Sequence, residues 1–395
     1  MEALGRQIID EKHAQVAELL PTCDFDAWLV FSREATDPIC PLVVGTRFVG
    51  TAAFVFGRRT RIAICADYDA MAVEETGAFD RVIPYSVNFA SPLITVLREL
   101  RPGRIGINYS KTDDRADGLS HGMFLVLREI VQEALPDATL VSAAPLAQGV
   151  RAHKSPEETR RIEAAVGIAE QIFQEMRSFI RVGRTEMEIG RFAEGRAEQL
   201  GAKLAEDALP IVATGKAGLG HRGPSDATLT AGDVVVVDMA ISYQGYHSDF
   251  TRTFYAPGED GRIPDSLRFR FETVRDAIEI AKTMIRPGMR GYEPKEAADA
   301  FIESRGIPAP RFGLGHQVGT ACHDGGLSLA PRTPRYAGRV EAAIQAGTVF
   351  TLEPFLVPSP GESAFPIGIE EMILVEAEGC RWLTAPQREV WCVNG

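Results

Sequence analysis

Residues 232–254 read GDVVVVDMAISYQGYHSDFTRTF, and this stretch constrains the fold more than any other. Val234–Val237 are β-branched and apolar, so they form a strand that disappears into a core. The segment Ser242–Gly245 turns the chain, and a second strand returns. Yet Asp238 closes the valine run and Asp249 sits on the return, both ionisable. Because strand side chains alternate, Val234, Val236 and Asp238 share one face, while Val235, Val237 and Met239 take the other. A turn centred between Tyr243 and Gln244 sets Asp238 directly opposite Asp249, with Cβ atoms about 4.5–5.5 Å apart. Carboxylates so placed repel unless one is protonated or a cation lies between them.

Other apolar segments carry the same anomaly. FGLGHQVGTACHDGG (312–326) holds His316 between glycines and His323 seven residues on. VFTLEP places Glu353, and IGIEEMILV places Glu370, in strand-like contexts where ionisable residues are rare. Asp238, Asp249, His316, Glu353 and Glu370 together favour a metal site over a shared proton. Oxygen donors with one imidazole suit Mn²⁺, Co²⁺ or Zn²⁺. This many carboxylates fits two divalent ions about 3.5–4 Å apart, and water held between such ions deprotonates near neutral pH.

A chain of 395 residues exceeds one ordinary core, and its net charge of −12 disfavours nucleic acid or an anionic membrane as partner. Six cysteines without a CxxC pair make neither a disulfide framework nor a thiolate zinc site. The first 20 residues read as an amphipathic helix, with no secretory signal and no transmembrane run, so a cytoplasmic location is expected.

Residues 1–152 alternate strands (DAWLVFS, FVGTAAFVFG, RIAICAD, RIGIN, ATLVSA) with helices (LITVLREL, MFLVLREIVQEAL), giving a small α/β domain. The domain of residues 153–395 opens with two helices, announced by the capping-box patterns Ser155/Glu158 and Thr185/Glu188. The valine hairpin, helices near 266–285 and 294–305, and further strands from about 312 follow. Two motifs are accidental. Gly118–Gly122 matches GxSxG, but polar, turn-like residues precede it where a strand is needed. Gly218–Gly223 matches GxGxxG, but Pro224-Ser-Asp-Ala follows instead of a helix.

The order Asp, Asp, His, Glu, Glu, carried by VDMAISYQGYHSDFTRTF, GLGHQVG, TLEP and GIEE, resembles the metal-dependent aminopeptidase and prolidase family of the pita-bread fold. The resemblance spans the whole chain and implies a creatinase-type N-terminal α/β domain before an α+β pita-bread catalytic domain. It implies hydrolysis of Xaa-Pro bonds in short proline-containing peptides, by a dipeptidase or aminopeptidase that forms a homodimer. Asp238 would hold one ion, His316 and Glu353 the other, with Asp249 and Glu370 bridging. His221, in GLGHRGPSD, resembles a substrate-contacting histidine, and His323 the one that polarises the scissile carbonyl. Glu353 would also relay a proton to the leaving nitrogen. The loop 33–45 would lie over an active site of its own or a neighbouring subunit. Two positions depart from the family pattern: Phe312 replaces a histidine, and Gly368 replaces an arginine that would steady a ligand carboxylate. A creatinase-like hydrolase of a small C–N substrate is the alternative, disfavoured because all five ligands are kept. A binding module without activity should have lost them.

Overall fold

The computed structural model describes residues 4–205, 208–215, 222–358 and 364–393. Contacts divide the chain into two compact units, Met1–Glu157 and Glu158–Gly395.

In the first unit a mixed six-stranded sheet forms from β1 (Ala27–Arg33), β2 (Thr51–Gly57), β3 (Thr60–Ala66), β4 (Arg81–Tyr85), β5 (Arg104–Ile107) and β6 (Thr139–Ser142). Their order is β4-β3-β2-β1-β5-β6. Helices α1 (Arg6–Leu19), α2 (Cys40–Val43), α3 (Asp67–Glu75), α4 (Ala90–Leu100), α5 (His121–Ala134) and α6 (Ala144–Ala152) complete it. Leu93 and Leu97 of α4 and Leu127 and Ile130 of α5 share one core with Leu29, Val55 and Ile64 of the sheet. The periodicity reading omits α2, which lies within the segment read as the loop 33–45, and also α3, β4 and α6. In β4 the signal is masked by Pro84, which a strand tolerates only at an edge, where β4 lies. Ser120 of the GxSxG match accepts a hydrogen bond from Met123 N–H as the N-cap of α5, and a short 3₁₀ turn precedes it, not a strand.

The second unit contains α7 (Pro156–Phe179), α8 (Glu186–Gln199), β7 (Lys203–Leu204), β8 (Ile211–Thr214), β9 (Val234–Tyr243), β10 (Tyr246–Tyr255), α9 (Asp265–Met284), α10 (Tyr292–Ser304), β11 (Val349–Leu352), β12 (Glu371–Glu376), β13 (Gly379–Trp382) and β14 (Trp391–Cys392). The Thr185/Glu188 box is formed at the start of α8. One sheet runs β14-β10-β9-β7 with β8 also on β9, and a separate one runs β11-β12-β13. Val234 and Val236 pack with Leu267, Phe271 and Val274 of α9 and with Phe350 of β11. On the opposite face Phe250 meets Phe173 of α7, ring centroids 5.1 Å apart. The valine run is therefore buried on both sides.

The register of this hairpin corrects the sequence reading. Tyr243 pairs with Tyr246, so Gln244 and Gly245, at φ 50° and 80°, are the two turn residues. A two-residue turn matching the strand twist needs positive φ at both positions, which Gly245 supplies without strain. Asp238 consequently faces Thr251, and Asp249 faces Ala240. The two carboxylates remain on one face but are diagonal neighbours, a separation that leaves room between them.

Among the described residues all six cysteines are free, no helix is long and apolar enough to cross a membrane, and no helix opens after Gly223.

Candidate active site

Four short chain segments bring the sequence-nominated ligands together. Asp238 and Asp249 come from the β9–β10 hairpin, Glu353 follows β11 by one residue, and Glu370 immediately precedes β12. His316 lies on the segment that bridges β11 through Gln317 and Phe350. Thr351 N–H donates to the His316 carbonyl at 2.9 Å, and Glu353 N–H to the Leu314 carbonyl at 2.7 Å. The approach is close enough to require glycine: a Cβ on Gly315 would sit 1.9 Å from the Thr351 oxygen.

Ligand-capable atoms of Asp249, His316 and Glu370 all lie within 4.8 Å of one another. His316 Nε2 is 3.7 Å from Asp249 Oδ2 and 3.4 Å from Glu353 Oε1. Asp238 joins through its field, which raises the proton affinity of both Glu353 and Glu370. Burial, then the Asp238 charge, pushes Glu353 up to about 8 against the Thr351 hydroxyl. Glu370 is raised well above the usual carboxylate range, by burial first and then by Asp249, Glu353 and Asp238, although Thr251 Oγ1 donates to its Oε2 at 2.8 Å. Burial, followed by His323, pushes His316 down to about 3, so its imidazole is neutral. His316 Nδ1 lies 3.2 Å from the Gln317 carbonyl. A hydrogen on Nδ1 leaves the Nε2 lone pair aimed at the carboxylates, the usual arrangement of a metal-ligating histidine. Crowded acids and a neutral imidazole suit a divalent cation.

The cluster opens into a cavity of about 330 Å³. Asp238, His316, Glu353 and His323 line it, and the His323 ring lies 4.1 Å from that of His316. Phe312, 57% exposed, and Val357 form part of the rim. Gly368 packs tightly: a Cβ there would lie 2.4 Å from a ring carbon of Phe355 and 2.7 Å from Val236 Cγ1, leaving no space for an arginine. His221 lies outside the described residues. On either side of the segment containing it, Thr214, Arg222 and Ser225 all donate hydrogen bonds to buried Glu186.

Sequence reasoning overlooked Arg335, Tyr336 and Arg339, which line the same cavity. Their segment, APRTPRYAGRVEA, has no hydrophobic period, so only folding reveals that it faces the site. Arg339 Nε is buried and has no hydrogen-bond partner among the described residues. Arg252 stands among polar neighbours in YHSDFTRTFY, so its sequence context does not mark it, and only the fold shows that its strand is buried.

Residues 160–377 match the model of metallopeptidase family M24. An uncharacterized peptidase of Bacillus subtilis, YqhT, is 30% identical over 260 residues, covering 65% of this chain and 69% of that protein. The Xaa-Pro dipeptidase of Pyrococcus horikoshii is 31% identical over 245 residues, 61% of this chain and 65% of its own length. The solved X-Pro aminopeptidase of Thermotoga maritima superposes with a TM-score of 0.75 at 25% identity, covering 95% of this chain and 99% of that one. Xaa-Pro dipeptidase from Bacillus anthracis gives 0.77 at 22% identity over 98% and 100%, a likeness of fold. The two-unit architecture is that of the pita-bread peptidases with an N-terminal α/β domain. The chain belongs to metallopeptidase family M24.

Proposed function

We propose that this metallopeptidase hydrolyses Xaa-Pro dipeptides, with two divalent ions held by Asp238, Asp249, His316, Glu353 and Glu370. The observation that carries this reading is that one cavity is lined both by Asp238, His316 and Glu353 of the cluster and by Arg339, whose Nε is buried without a partner among the described residues. Bound there, divalent ions would activate water and polarise the scissile carbonyl. Asp238 is assigned to one ion, His316 and Glu353 to the other, and Asp249 and Glu370 to both.

The chain's own groups account for the rest. Arg339 presents a buried, unpaired donor, and a planar guanidinium matches a carboxylate. A dipeptide brings its free carboxylate close to the scissile bond, whereas a longer substrate does not. His323 is assigned the hydrogen bond to the developing oxyanion, and Glu353 the transfer of a proton to the leaving imide nitrogen. A cavity of about 330 Å³ is at the small end of the range for ligand sites and suits a dipeptide.

The test compares three substrates: Ala-Pro, its C-terminal amide and Ala-Pro-Ala. The reading requires kcat/KM to fall about 100-fold or more for the amide and the tripeptide. Arg339→Met should lower the Ala-Pro value similarly while changing the amide little. Equal rates on all three would refute the dipeptidase assignment, and absence of proline release from any would refute the substrate class.

A further inference from the structure

Asp249 and Glu370 are the two carboxylates assigned to both ions, and they stand on different sheets. β10 belongs to the five-stranded sheet and β12 to the three-stranded one, so no shared ladder sets their relative position. Three contacts do. Glu370 N–H donates to the Thr251 carbonyl at 3.2 Å, Thr251 Oγ1 donates to Glu370 Oε2 at 2.8 Å, and Arg252 Nη1 donates to the Glu370 carbonyl at 2.9 Å.

Arg252 is only 1% exposed. Its guanidinium lies over the Phe250 ring, 4.5 Å from the centroid. Nη1 also donates to the Thr251 carbonyl at 3.0 Å, while Nη2 donates to Glu371 Oε2 at 3.1 Å and the Ala385 carbonyl at 3.0 Å. Glu371 is held in turn by Thr384 Oγ1 at 2.5 Å and Gln387 N–H at 2.8 Å. Gln387 docks on Thr253, accepting its N–H at 3.0 Å and donating to its carbonyl at 2.7 Å. The network thus starts and ends on β10 and passes through the residue beside Glu370.

A buried ion pair is a poor source of stability, because desolvation offsets attraction; its better-attested use is to specify an arrangement. Arginine, with its rigid fork, reaches four oxygens on three segments at once, which a lysine ammonium on a flexible stem does not. Tight packing at Gly368 excludes a cation there, so the guanidinium beside Glu370 is supplied from β10.

We infer that Arg252, seated by Glu371, is a positioning residue that fixes Glu370 relative to Asp249 and thereby sets metal affinity. This rests on the metal-centre reading above. Supporting groups of this kind typically contribute 10–100-fold in affinity.

The experiment titrates metal-stripped protein with Co²⁺, read by visible absorption, for wild type, Arg252→Lys, Glu371→Gln and a control, Lys295→Met. Lys295 is a comparably buried cation whose hydrogen bonds, to Asp299 within α10 and to the Pro310 carbonyl, reach none of the five proposed ligands. Arg252→Lys should raise the Co²⁺ dissociation constant of at least one site about 10–100-fold, Glu371→Gln less, and Lys295→Met not at all. Wild-type affinity in both Arg252→Lys and Glu371→Gln would overturn the inference. So would an equal loss in Lys295→Met, because the effect would then be general destabilisation. If Arg252→Lys does not fold, Glu371→Gln decides alone. Failure of the wild type to take up Co²⁺ would overturn the metal-centre reading itself, an outcome distinct from uptake that Arg252→Lys leaves unchanged.

Discussion

Gly315→Ala offers a sharp test of how the site is built, because a single methyl group is forced against a fixed backbone. The added Cβ would lie 1.9 Å from the Thr351 oxygen and 2.7 Å from its carbonyl carbon. Ordinary non-bonded contacts lie near 3.5 Å, so the His316 segment and β11 must separate by more than about 1 Å. That movement pulls on Thr351 N–H to the His316 carbonyl at 2.9 Å, Glu353 N–H to the Leu314 carbonyl at 2.7 Å, and His316 N–H to Thr351 Oγ1 at 3.1 Å. Overpacking of about 1–3 kcal/mol and weakening of bonds worth about 1 kcal/mol each sum to about 2–4 kcal/mol. For a unit of this size the melting temperature should fall by roughly 5–15 °C. Because His316 and Glu353 both ride on the displaced backbone, misplacement by about 1 Å should lower kcat/KM on Ala-Pro about 100-fold. Calorimetry of the metal-loaded variant and steady-state kinetics read the two effects. A melting temperature within about 2 °C of wild type together with kcat/KM within about twofold would refute the close-approach argument.

Three further outcomes are expected. Glu186, fully buried, is held down at about 2 because hydrogen bonds from Arg222, Ser225 and Thr214 outweigh its burial. A lowered folded-state value adds stability above the ordinary 4.5 and loses it as pH falls toward 2, so Glu186→Gln should melt lower at pH 7 and show a flatter decline across that window; identical pH profiles would remove the staple. Gly368→Ala should cost about 1–3 kcal/mol by driving Phe355 and Val236 apart, and unchanged urea unfolding would show that the packing yields. Exhaustive chelation should abolish proline release, with Mn²⁺ or Co²⁺ restoring it, and full activity in verified metal-free protein would sink the metallopeptidase mechanism.

Much of the architecture was legible because burial leaves periodic marks. Continuous valines marked a strand covered on both faces, and the box at Thr185 marked a helix start, since each signal is local to a few residues. Elements whose signals are weak or broken, such as β4 with Pro84, escaped because their placement depends on neighbouring strands. The exact facing of Asp238 and Asp249 turned on one residue of turn geometry, where Gly245 at φ 80° outweighs the symmetry of the flanking sequence.

What the sequence by itself determined was the chemistry of the donors: ionisable side chains in apolar strands carry a desolvation cost that demands a partner wherever the chain folds. What only the tertiary structure decided was which distant groups meet them. Arg339, in an aperiodic loop, comes to line the cavity of the acidic cluster, and Arg252 reaches Glu370 across 118 residues of chain. Such long-range encounters are fixed by how whole elements pack, and no local pattern encodes them.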